Sequence, residues 1–112
     1  MSSGRMRRVD EAIREVLSDA LGSADLSDPR IGFVTVTDVK TSADLRHARV
    51  YVTVLGDDAQ RERSLAGLQS AHGILQRRLN AELRMKRTPA LDFVYDDTTD
   101  RAMRMEELLD DH

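Results

Sequence analysis

From about Ala59 to Arg84 the chain carries a helical pattern, with Leu65, Leu68, Ala71 or His72, Leu75, Leu79 and Leu83 on one stripe. Kept straight, roughly 26 helical residues would run about 39 Å, whereas a compact chain of this size is about 34 Å across. The helix must project or bend. The stretch "LQSAHGILQRRL" contains Gly73 at its middle, and glycine inside a helix costs about 0.5–1 kcal/mol relative to alanine. Small residues on both sides of an interruption, here Ser70, Ala71 and Gly73, are what a bend against a sheet requires, because a larger side chain would collide with neighbouring backbone. Two helices meeting at "SAHG" are therefore expected, with Ala71, His72 and Gly73 forming the kink and Gly73→Val destabilising by collision. The alternative is that Gly73 serves only close helix packing, the role Gly67 would also suit.

The remaining elements follow from periodicity. Val9, Ala12, Ile13, Val16, Leu17, Ala20 and Leu21 recur at three and four residues and predict a first helix, capped by Ser2 or Ser3 and ended by a left-handed Gly22. "SADLSDPR" reads as a loop. "GFVTVTDV" and "HARVYVTVL" alternate as strands joined by the polar "KTSADLR", with Ala48, Val50, Val52 and Val54 on one side of the second and His47, Arg49, Tyr51 and Thr53 on the other. Such alternation suits an antiparallel sheet with one wet face. "TPALDFVYD" predicts a third strand and "DRAMRMEELLDDH" a short acidic helix. The order is helix, strand, strand, kinked helix pair, strand. That is an α+β domain over residues 1–98, with 99–112 as an acidic C-terminal segment.

Composition narrows the chemistry. The 112 residues include no cysteine, which removes disulfides, thiolate metal sites and cysteine nucleophiles and agrees with a reducing cytosol. No apolar run approaches the roughly 20 residues of a membrane span, so a cytoplasmic protein without membrane association is expected. His47, His72 and His112 are the only histidines and lack metal-site spacing. His72 reads as a half-buried cap. The "DD" pairs at 57 and 96 resemble cap and turn chemistry, and no serine has a visible base, so neither an enzyme nor a cofactor is expected.

Net charge is only −3, but it is unevenly placed. From Asp92 onward eight acids face two arginines, giving −6, while the first 91 residues hold 15 basic and 12 acidic side chains, giving +3. A basic body with an acidic tail is the asymmetry expected where one face meets phosphates. The candidates for RNA contact are Arg5, Arg7 and Arg8 at the entry of the first helix. Arg77, Arg78, Arg84, Lys86 and Arg87 on the last long helix and its exit complete the set. Arg77 and Arg84, seven residues apart, would nearly eclipse on a continuing helix. Phe33 and Phe93 are expected in the core, which leaves few rings for base stacking.

The ordered run of a helix, "DPRIGFVTVTDVKTSADLRHARVYVTVLG", a helix pair joined at "AHG" and "RTPALDFVYDDT" resembles the bacterial ribosome-binding factor A family across nearly the whole chain. The resemblance implies a type II KH-like domain in which an Ala-x-Gly kink, here Ala71-His72-Gly73, replaces the usual Gly-x-x-Gly loop. It also implies a monomeric factor that binds the small ribosomal subunit and its rRNA. Its roles would be late maturation, including 5′-end processing, and growth in the cold. Without the Gly-x-x-Gly loop, recognition of shape and phosphate by arginine is expected to outweigh single-strand readout, although the free N–H groups after the kink would favour an anion. A protein-interaction adaptor, docking through the wet sheet face or the acidic tail without RNA contact, is the other reading.

Overall fold

The computed structural model describes residues 4–22, 28–85, 87–98, 101–102 and 105. Helix α1 covers Gly4–Leu21, strands β1 and β2 cover Val34–Thr41 and His47–Val54, helices α2 and α3 cover Asp58–Ser70 and His72–Leu83, and β3 covers Ala90–Tyr95. This is the expected α+β order. The serines proposed to cap α1 and Lys86 lie outside the described residues, as does nearly all of the expected last helix. Gly22 closes α1 by donating its N–H to the Ser18 carbonyl at 3.3 Å, but its φ is not in the left-handed region where it was expected.

The sheet order is β1-β2-β3. β1 runs antiparallel to β2, while β3 lies parallel to β2 from His47↔Ala90 to Val52↔Tyr95. The antiparallel pairing that alternation in β1 and β2 suggested is present, and β3 joins it in parallel to make a mixed sheet. The physical reason is the connection: a helix pair long enough to return the chain to the starting end of β2 permits parallel pairing, which no tight hairpin can. A bulge at Thr37 shifts the β1 register and lets Val36 and Val39, three residues apart, both face inward. Its hydroxyl donates to the Asp96 carboxylate at 2.6 Å.

One core lies between the sheet's inner face and the helices. Ile13 and Leu17 of α1, Val50 and Val52 of β2, Leu68 of α2, and Leu75 and Leu79 of α3 are fully buried, each such side chain contributing about 1.5–3 kcal/mol. The chain bends at Ala71, whose ψ is 3°. Its N–H reaches the carbonyls of both Gly67 and Leu68, at 3.0 and 3.1 Å, and its methyl is buried in the core. Ala71 is the small residue the bend needs. Ser70 is exposed, and a methyl group on Gly73 would meet nothing within 4 Å, so the collision expected there is absent. Gly67 carries that constraint instead: its added methyl would fall 2.7 Å from Ile31 Cγ1 and 3.3 Å from Arg30 Cβ.

The loop packed against Gly67 is held by polar bonds. Ser64, fully buried, accepts from the Gly32 N–H at 3.1 Å and donates to the Arg30 carbonyl at 3.3 Å. Asp28 accepts from the Arg30 N–H at 2.9 Å and pairs with its guanidinium at 2.6 Å. These bonds, the guanidinium first, hold the Asp28 carboxyl at about 2 instead of the ordinary 3.8. A folded-state pKa below the unfolded one adds stability that is complete above about pH 4 and disappears as pH falls through about 2. In thermal melts the parent should therefore lose stability more steeply over that window than Asp28→Asn. Equal slopes would show that the ion pair does not form in solution.

Candidate nucleic-acid interface

The arginines singled out in the sequence fall in three places. Arg5, Arg7 and Arg8 are exposed on the first turns of α1. Arg8 turns its Nε back to the Gly4 carbonyl at 3.4 Å, and Arg7 lines a cleft with Asp10, Glu11 and Asp38, whose carboxylates oppose a phosphate. On α3, Arg78 is half-buried and donates to Glu82 Oε1 at 2.9 Å. Arg77 points to solvent.

The exit from α3 brings the site together. Arg84 does not continue the helix as expected: it caps it in the left-handed region, φ 50° and ψ 37°, with its N–H on the Asn80 carbonyl at 3.1 Å. That conformation costs a non-glycine residue about 1–2 kcal/mol, and it removes Arg84 from the face of Arg77. The chain turns back along the helix, where Gln76 Nε2 donates to the Pro89 carbonyl at 3.0 Å. A groove of about 400 Å³ results, lined by Gly73, Gln76, Arg77, Asn80, Arg87 and Thr88. The lining residues carry two guanidinium groups, two amides and a hydroxyl, and none carries a carboxylate. Arg77 therefore shares the groove with Arg87, ten positions on in a different segment, and not with Arg84.

The three kink residues divide their roles. Ala71 makes the bend and Gly73 leaves the groove wall bare. His72 is exposed and not half-buried; its Nδ1 lies 2.7 Å from the Gln69 carbonyl, in the last turn of α2. Asp57 and Asp96 likewise make local bonds, to the Gln60 N–H at 2.8 Å and the Thr98 N–H at 3.0 Å. Among the described residues no three histidine, aspartate or glutamate side chains gather as metal ligands.

Two features escaped the sequence reading. Phe33, expected in the core, is 80 % exposed, beside Leu55 at 74 %; the Leu55 N–H donates to the Phe33 carbonyl at 3.0 Å. Phe33 precedes β1 on the parity of exposed Thr35, so the signal was the alternation, which hydrophobicity overrode. On the outer sheet face Lys40 stands opposite Arg49 and close to Tyr51, an arrangement visible only once the β1 bulge sets the register.

The chain is similar to known proteins over nearly its full length. A family model described as "Ribosome-binding factor A" matches residues 5–109. Ribosome-binding factor A of Halothermothrix orenii is 39% identical over 109 residues, covering 97% of this chain and 88% of that one. The crystal structure of ribosome-binding factor A from Thermus thermophilus superposes with a TM-score of 0.70 at 28% identity, over 80% of this chain and 94% of that one. A homology model of the Thermus thermophilus factor, fitted into a cryo-electron-microscopy map of a 30S complex, gives 0.63 at 28% identity, over 88% and 98%. With its kinked helix pair and mixed three-stranded sheet, the chain belongs to the ribosome-binding factor A family.

Proposed function

We propose that this chain binds the small ribosomal subunit through its rRNA, assists late maturation of that RNA including 5′-end processing, and supports growth in the cold. It acts as a cytoplasmic, monomeric, non-enzymatic factor. Family membership and the 30S complex of the Thermus thermophilus relative support the partner. The observation that carries direct RNA contact is the groove lined by both Arg77 and Arg87 and by no carboxylate. Guanidinium forks bind phosphate oxygens bidentately, and the amides of Gln76 and Asn80 supply neutral partners beside them. Among the described residues no helix is long and apolar enough to cross a membrane.

Salt tests the reading. Binding to purified small subunits should weaken by about 0.7–0.9 log units per phosphate contact for each log unit of salt. A nearly flat dependence would favour the adaptor instead, for which exposed Phe33 and Leu55, side by side next to Arg63, are the specific observation. A chain shortened to residues 1–98 should melt as one domain and bind the subunit at least as tightly, because the removed segment carries net negative charge. Loss of binding by the folded, shortened chain would make the tail a protein contact.

A further inference from the structure

The outer face of the sheet, opposite the helices, carries a cavity of about 430 Å³ whose lining includes Lys40, Ser42, His47, Arg49, Tyr51 and Asp92. Register builds it: Lys40 pairs with Arg49 and Arg49 with Asp92, so these three form one row across the strands. Tyr51 lies two residues further along β2, on the same face. The Lys40 ammonium stands 5.8 Å from the centre of the Tyr51 ring, and Arg49 lines the same cavity beside Tyr51. A half-buried aromatic ring is thus bordered by two cations.

We propose that this face binds single-stranded RNA, with an unpaired base stacked on Tyr51 and its phosphates held by Lys40 and Arg49; the proposal rests on the small-subunit reading above and adds a second contact to it. A ring set in a sheet reaches only a base that has left its own stack, which selects a single strand over a duplex. An acidic peptide would satisfy the cations but gain nothing from the ring, whereas a nucleotide uses both. Cation and ring also cooperate, since a guanidinium or ammonium beside an aromatic face adds a further attraction for a stacked base. Asp92 is the one carboxylate in the cavity lining, and it opposes the phosphates.

The test uses the full chain, a 5′-labelled hexaadenylate RNA and fluorescence anisotropy at low salt, with circular dichroism on every variant. Tyr51→Leu should weaken binding about fivefold to a hundredfold, the range of one lost stacking contact. Tyr51→Phe, which keeps the ring, should stay near the parent and stands in if the leucine variant fails to fold, paired then with Tyr51→Thr. The double variant Lys40→Gln, Arg49→Gln should bind more weakly with a shallower salt dependence, and Asp92→Asn more tightly. Tyr51→Leu binding as the parent does would overturn the proposal, and so would displacement of the RNA by an equal concentration of hexaglutamate, which would assign the face to acidic protein. Subunit binding is scored separately. Parent binding to the subunit with salt-dependent affinity, combined with Tyr51 variants unchanged on hexaadenylate, would remove this site and leave the small-subunit reading standing. Hexaadenylate binding that needs Tyr51, in a chain that ignores the subunit, would do the reverse.

Discussion

Gly67→Val should lower stability by about 1–3 kcal/mol, the range for forcing extra atoms into a packed interior. For a domain near this size that is a fall in melting temperature of roughly 5 °C per kcal/mol. The first added carbon already lies 2.7 Å from Ile31 Cγ1, and Ile31 belongs to the loop that buried Ser64 holds through Gly32 and Arg30. Pushing Ile31 outward therefore strains two hydrogen bonds as well as an apolar contact. Gly73→Ala provides the opposite sign. With open space at that position and a helical backbone, alanine should raise stability by about 0.4–1 kcal/mol by restricting the unfolded chain. Thermal melts of the two variants check both. A Gly67→Val variant melting with the parent would mean that residues 28–32 do not pack on α2 in solution.

That pair of glycines shows what was legible in the chain and what was not. Length alone required the long helical pattern to break, and it breaks at Ala71, within the "SAHG" expected. Which small residue the break needs depends on what packs against each side of the helix, and local sequence does not contain that. Gly67 faces a loop more than thirty residues earlier; Gly73 faces solvent. The same division holds elsewhere. The inward side of β2, Ala48, Val50, Val52 and Val54, follows from period-two alternation and is buried as expected. The parallel course of β3 depends on how a crossover returns, and the outer cluster at Tyr51 depends on a bulge one strand away.

The largest functional effect should come from Arg77→Gln combined with Arg87→Gln. Both side chains are exposed, and neither is among the buried residues that form the core, so the fold should survive. If each guanidinium neutralises one phosphate, the double variant should lose about 1.4–1.8 units from the slope of log affinity against log salt, and at low salt its affinity for small subunits should drop at least tenfold. The companion variant is Arg78→Gln. Arg78 is half-buried and already bonded to Glu82, so it should cost a few tenths of a kcal/mol of helix stability and little binding. The contrast matters because both changes remove positive charge from the same helix. A general attraction between a basic surface and RNA would make Arg78 as important as Arg77 per charge removed, whereas a groove that seats phosphate would not. Arg84→Gln sharpens the comparison, since its backbone caps α3 while its side chain lies outside the groove lining. Equal losses for Arg77, Arg78 and Arg84 would reject the groove as the binding site and return the arginines to a diffuse electrostatic role. A steep loss confined to Arg77 and Arg87 would place the phosphate track between α3 and the returning segment before β3.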